Sequence, residues 1–327
     1  MADIYADGQL GTGANNGTSW VNAYQGEAGL QDACDAAVAG DILHITRTFT
    51  LTALTVSIDI DIASGSQSSP IRVIGYNYNS GSPVVDGTRS IIDADNAAVN
   101  CVAANGVHYW VLENIEFKNA TDDNVTATVD EPLYWTFINC ISHHAVADGW
   151  GETAAISFLH AKFIICNAYN NTGNGFKSHR TWNFGCVAHD NGAVGFYAWR
   201  SKLINCLSYK NVTFGIYLAD DHCAVRNCVI DNNLIGININ DIAPIYACRI
   251  TNNTTGIAGD ATTTVIDFWN FFKDNTVNID AVIGSVISTF RGEDTRVISG
   301  ETGYMDSSNG DYRLNRNATS RRMQVEL

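Results

Sequence analysis

Residues 186–256 read CVAHDNGAVGFYAWRSKLINCLSYKNVTFGIYLADDHCAVRNCVIDNNLIGININDIAPIYACRITNNTTG. Cysteine stands at 186, 206, 228 and 248, and the series reaches back to Cys166 and Cys140. The six are separated by 26, 20, 20, 22 and 20 residues. Asn171, Asn191, Asn211, Asn233 and Asn253 follow the last five cysteines by five positions. Gly149, Gly175, Gly195, Gly215, Gly236 and Gly256 follow all six by eight or nine. Three residue types holding one register over more than 100 residues define a repeat, and a period near 20 is one coil of a solenoid.

The coil reads as β. Phe176 and Ser178 alternate with Lys177 and His179, Phe196 and Ala198 with Tyr197 and Trp199, and Ile237 and Ile239 with Asn238 and Asn240. That is the two-residue period of a strand. No segment of this region sustains a helical period, and the framework of a leucine-rich repeat is absent. The expected fold is all-β: a single right-handed parallel β-helix, its strands stacked about 4.8 Å apart. In this reading the asparagines take left-handed corners and hydrogen-bond from coil to coil. The glycines allow tight turns before the next strand, and the cysteines form a small apolar interior stack. Stacked Cβ atoms about 4.8 Å apart are too distant for a disulfide, which needs about 3.5–4.5 Å. The nine cysteines show no paired spacing and no CxxC, so reduced core thiols are expected and a cysteine zinc site is not.

A chain of 327 residues, 46% hydrophobic and 16% charged, suffices for one elongated core. The net charge of −15 argues against nucleic acid as a partner. No apolar run is long enough to span a membrane. Met1–Tyr5 shows neither the basic nor the apolar region of a signal peptide, so either one has been removed or the chain reaches a virion surface or extracellular setting by another route, of which lysis is one. Residues 1–40 read as a strand near Asp3–Tyr5 and a short capping helix over Leu30–Ala39, with Leu30, Cys34, Ala37 and Val38 on one face and Gly40 ending it. Residues 41–300 are read as coils, with the regular ladder at 136–260, and 301–327 as a polar tail carrying Arg316, Arg321 and Arg322.

If the residue after each repeat glycine points inward, one outward column is Gly151, Lys177, Tyr197, Tyr217, Asn238 and Ala258. The next is Thr153, His179, Trp199, Ala219, Asn240 and Asp260, with Arg180, Arg200, Asp220 and Asp241 at strand ends. Aromatic faces stack on sugar rings, and Arg and Lys pair with sugar carboxylates. Lys177, His179, Arg180, Tyr197, Trp199, Arg200, Tyr217 and Asp220, with Trp150, are therefore candidate glycan contacts. A solvated sheet face with incidental aromatics is the plainer alternative.

The runs CISHHAVADGWGE (140–152) and NAYNNTGNGFKSH (167–179), followed by repeated N…GF coils, resemble family 9 polysaccharide lyases, and more broadly the pectate-lyase-like β-helix superfamily. The resemblance implies that Lys177, in the GNGFK coil, is the base of a β-elimination. It also implies a calcium ion held by aspartates of neighbouring coils, here Asp148 and Asp123. The family's DDGWD stretch reads Ala147, Asp148, Gly149, Trp150, Gly151 in this chain, so two carboxylates are lost. Glu152 is a substitute on the opposite strand face. Calcium takes about six to eight oxygens, several of them carboxylates, so the expected cofactor is none or a weakly held calcium. A lysine that accepts a proton must be uncharged, and a bound cation is the natural means of making it so.

Three readings stay open. One is a non-catalytic β-helix on an exposed surface, a decoration or tail-associated virus-particle protein with glycan contact, other virion proteins as partners and a homotrimeric assembly by analogy. Another is a calcium-dependent lyase of an acidic polysaccharide with Lys177 as base. The third is a glycoside hydrolase, for which the carboxylates Asp220, Asp241 and Asp260 drift along the strand ends and do not cluster. His143, His144 and Asp148 are a weaker metal or acid–base set. Asp220, Asp221 and His222 read as a turn.

Overall fold

Short alternating strands punctuated every few residues by a left-handed residue cannot form a flat sheet; each left-handed position redirects the chain. The computed structural model, which describes residues 1–52, 57–79, 82–84, 89–128, 130–152, 157–259, 263–280, 283, 285–289, 304–306 and 311–314, shows this directly. It divides into two compact units, Met1–Thr181 and Trp182–Leu327. Each is a parallel β-helix, and about eleven turns are counted over the two.

In the first unit a representative coil runs Trp110–Glu113, Ile115–Lys118 and Val125–Ala127, one strand in each of three sheets. Its neighbours pair in parallel register: Leu112 with Phe137, Phe117 with Ser142, Val125 with Val102. Inward side chains stack on their own kind, Phe137 on Phe163 at 5.0 Å and Trp150 on Phe176 at 4.7 Å between ring centroids. In the second unit Phe196, Ile216, Ile237 and Ile257 form one inward column, and Tyr197, Tyr217, Asn238 and Ala258 run beside it. Ser285–Thr289 pairs with Thr264–Phe268, and within the expected tail Tyr304–Asp306 pairs antiparallel with Asp311–Leu314. Arg316, Arg321 and Arg322, like Thr153 and Asp260, lie outside the described residues.

The capping helix is Gly26–Ala36, starting four residues and ending three residues earlier than the sequence suggests. No side-chain cap marks its start, and Gly26 enters at φ 64°. Ala37 is buried but extended, and Val38 is exposed. The Gln31 amide bonds both ways with the backbone of Asp59 (2.8 and 2.9 Å), acting as a further rung on the edge strand Ile58–Ile60. No helix among the described residues is long and apolar enough to cross a membrane.

All nine cysteines are buried thiols outside any disulfide. Corner thiols donate to carbonyls of the preceding coil, Cys140 to Leu112 (3.4 Å) and Cys206 to Asn183 (3.4 Å). Burial pushes the Cys34 and Cys101 thiols up to about 12. The asparagines bond from coil to coil as expected, but they do not take the left-handed corners. The left-handed residues are the ones before the asparagines: Asn170, Asp190, Lys210, Asn232 and Asn252, with φ between 52° and 56°. The asparagines themselves point inward as a ladder, Asn191 Nδ2 to Asn211 Oδ1 at 2.9 Å, Asn211 to Asn233 at 3.1 Å and Asn233 to Asn253 at 3.1 Å. The glycines make room for that ladder. A Cβ on Gly215 would lie 2.7 Å from the Gly236 oxygen and 2.8 Å from Asn233 Nδ2.

Candidate functional site

Two groups of candidate residues emerge, one in each unit. In the first unit the strand positions Val125, Trp150 and Phe176 are bridged in parallel. The residues two before each, Asp123, Asp148 and Asn174, therefore stack at one corner. Each carboxylate accepts a backbone N–H from the coil above. The Asp148 N–H donates to Asp123 Oδ1 at 2.8 Å, and the Asn174 N–H donates to Asp148 Oδ1 at 2.6 Å. The Asn174 amide adds a second bond to the same oxygen at 2.8 Å. Below them Asn100 Nδ2 donates to the Asp123 carbonyl at 2.8 Å. The two aspartates are thus members of a polar ladder that starts and ends in asparagine. Sequence reasoning missed Asn174, although its place two residues before Phe176 was readable from the glycine register.

Lys177 reaches this corner from the adjoining strand. Its Nζ donates to the Glu152 carbonyl at 2.9 Å and lies 3.7 Å from Asp148 Oδ2. Asp123, Asp148 and Glu152 are all buried. Burial, reinforced by the Asp148 carboxylate, pushes Asp123 up to about 7. Burial, with a smaller push from the Asp148 carboxylate, raises Glu152 to about 7 against the pull of Ser157 and Lys177. Asp148 is also raised by burial, in spite of its bonds to Asn174 and its proximity to Lys177. Glu152 Oε2 is buried with no hydrogen-bond partner.

These residues do not fit the calcium ion that the sequence resemblance implies. A Cβ on Gly151 would overlap the Asp123 carboxylate, which fills the space a side chain at 151 would need. Asp123 and Asp148 each commit one oxygen to backbone. Together with Glu152 they do not form a group whose ligand atoms all lie within 4.8 Å; among the described residues only Asp220, Asp221 and His222 do. That trio is a turn, as the sequence suggests. The His222 N–H donates to Asp220 Oδ1 at 3.2 Å, Asp221 contacts the His222 ring, and Arg200 Nε donates to Asp220 Oδ2 at 3.1 Å.

Trp150, expected among the glycan contacts, is instead a core residue with no exposed surface, stacked on Phe176. The same inward rule that predicts Phe176 and Phe196 governs it. His179 is half-buried, with Nδ1 3.3 Å from Ser157 Oγ, and Arg180 occupies a left-handed corner at φ 56°. His143 does not join Asp148. Its Nε2 lies 3.1 Å from Glu116, and its Nδ1 lies 2.5 Å from Nδ1 of His144. The bond to His143 is the main cause that lowers the Glu116 carboxyl.

The second group surrounds one corner of the second unit. Trp199 ends the strand Phe196–Trp199, Arg200 turns the chain at φ 50°, and Lys202 begins Lys202–Ile204. Lys202 pairs in register with Trp182, and its Nζ lies 4.4 Å above the Trp182 ring. Trp182 is 39% exposed and Trp199 42%. One solvent-facing tryptophan thus carries a cation on its face, and a second stands beside Arg200, whose Nε is held by Asp220. Tyr197 and Tyr217 stand beside them, half-buried and edge-to-face at 4.9 Å. Sequence reasoning named Trp199, Arg200, Tyr197 and Tyr217 but missed Trp182 and Lys202, which lie on the adjoining sheet and outside the columns it followed.

No protein-family profile matches the chain, and no curated protein matches it in sequence. Solved structures do match in shape. A rhamnogalacturonan lyase superposes with TM-score 0.58 at 15% identity, covering 95% of this chain and 92% of that one. The pectate lyase Pel9A gives 0.54 at 16% identity, covering 98% and 90%. The fold is that of the pectate-lyase-like parallel β-helices. ORF18 of Geobacillus virus E2 shares it too, with TM-score 0.54 at 13% identity over 91% of this chain and 62% of that one. At these identities the likeness concerns the fold, and the chemistry of this β-helix rests on its own residues.

Proposed function

We propose that this β-helix is a non-catalytic carbohydrate-binding protein of an exposed surface, a virus particle being its setting. One observation carries the non-catalytic part. The two aspartates that would hold a metal are rungs of a backbone ladder, and Lys177 is a donor to the Glu152 carbonyl. The binding part is supported by Trp182, Trp199, Arg200 and Lys202 at one corner of the second unit, since exposed aromatic surface beside cations suits sugar rings that carry carboxylates. The setting is supported by the shared fold of the Geobacillus virus E2 protein and by nine cysteines outside any disulfide, which suit synthesis in a reducing compartment.

A panel of acidic and neutral polysaccharides tests the reading. Saturable binding of an acidic polysaccharide is expected, weakened roughly tenfold or more by Trp182→Ala or Trp199→Ala, as the loss of a stacking platform implies. Binding that ignores both substitutions would contradict it. A lyase is the second reading. It is favoured by the gathering of three buried carboxyl groups beside Lys177, and it would be supported by unsaturated product that Lys177→Ala abolishes.

A further inference from the structure

In the first unit, the corner after the strand Ile42–Thr46 opens into a cleft of about 310 Å³ lined by Arg47 and Arg89 with Gln9, Thr48, Tyr76 and Asn77. Among the described residues no carboxylate lines it, in a chain with 34 acidic and 19 basic residues. The acids nearby are already paired, Asp7 with Arg47 itself and the others away from the cleft. Asp7 lies 3.2 Å from Arg47 Nε, Asp93 pairs with Lys118 at 3.2 Å, and Glu116 with His143 at 3.1 Å. Arg89 is held by a neutral partner. Its Nε and Nη2 donate to the carbonyl and side-chain oxygens of Asn139 at 2.8 and 2.5 Å. Among the described residues no carboxylate lies within ion-pair distance of Arg89. Two guanidinium groups therefore share one concavity, and both are fixed by their outer contacts before any ligand arrives. Preorganised forks of this kind suit a carboxylate.

We propose that this cleft binds the carboxylate of an acidic sugar unit. The inference rests on the carbohydrate-binding reading and assigns it a second, separate contact. The neutral lining explains why a sugar fits better than a bare anion. The Gln9 and Asn77 amides and the Thr48 hydroxyl match ring hydroxyls, and the Tyr76 ring supplies a flat wall. A volume at the low end of ligand pockets suits one or two sugar units and not a protein segment.

The test is titration calorimetry of the full chain at low salt with digalacturonate and dimannuronate, their methyl esters, and inorganic phosphate. A uronate disaccharide should bind, with its ester and phosphate each at least tenfold weaker. Gln9→Glu adds one negative charge at an exposed lining position. It should weaken uronate binding about tenfold with no change in melting temperature. Equal binding of acid and ester, equal binding of phosphate, or indifference to Gln9→Glu would overturn the assignment. If both disaccharides fail while a whole acidic polysaccharide still binds, the cleft is wrong and the carbohydrate reading stands. If no glycan binds, both fall.

Discussion

Replacing Asp123 by Asn separates a structural ladder from a metal site. The amide keeps an oxygen to accept the Asp148 N–H, now 2.8 Å from Asp123 Oδ1, and continues the asparagine at position 100 below it. What it removes is a charge that burial and Asp148 oppose. Asp123 sits at about 7 against an ordinary 3.8. Between these values the folded chain keeps a proton that the unfolded chain releases. Stability is therefore fully present below about pH 4 and falls as pH rises toward 7. A shift of roughly three units corresponds to about 4 kcal/mol. Because Asp148 shares the effect, about 2–4 kcal/mol is the expected gain for Asp123→Asn at pH 8. For 327 residues the unfolding entropy is roughly 0.7 kcal/mol per degree, so the melting temperature should rise roughly 3–6 °C. At pH 4 the two proteins should melt together. Calorimetry at both pH values, with and without calcium, reads this directly. A variant less stable than wild type at pH 8, or a calcium-dependent rise in the wild type that Asp123→Asn abolishes, would refute the ladder and restore the metal.

The other predictions concern the coil grammar. Gly215→Ala places a Cβ 2.7 Å from a backbone oxygen that cannot swing away, so it should cost about 1–3 kcal/mol in denaturant unfolding; no loss would mean that the glycine column is not there for space. Ile165 is a β-branched residue at φ 55° with 63% of its surface exposed. Ile165→Asn should stabilise by about 1 kcal/mol, because asparagine tolerates the left-handed corner and little burial is lost; a fall in stability would show that the isoleucine packs in a way the strain argument neglects.

The period, the parallel coils and the reduced cysteines were legible because each recurs as one residue type in one register. The coil-to-coil bonding of the asparagines was legible too, but the position of the left-handed corners and the role of the glycines were not. Left-handed corners fall on Asn170, Asp190, Lys210, Asn232 and Asn252, a column of Asn, Asp and Lys less uniform than the one beside it. The uniform column, Asn191 to Asn253, is uniform because each amide must both donate and accept inside the core. A single strand position explains Trp150: its place after a repeat glycine is an inward place, whatever a sugar-binding tryptophan might suggest. At the Lys177 corner the sequence showed a carboxylate missing at Gly151. It could not show that Asp123 occupies the vacated space, because that depends on how two coils stack. Trp182 and Lys202 went unread for a related reason. They meet across neighbouring rungs of a sheet that carries no candidate column.

The most direct test of the central claim, that the Lys177 corner is architecture and not a catalytic centre, is the ultraviolet absorbance of unsaturated product formed from pectate, alginate and rhamnogalacturonan. Wild type and Lys177→Ala should be compared with calcium and with chelator. The account predicts no product from either protein under any condition, together with undiminished binding of an acidic polysaccharide by Lys177→Ala. Product formed by the wild type and lost in Lys177→Ala would contradict it.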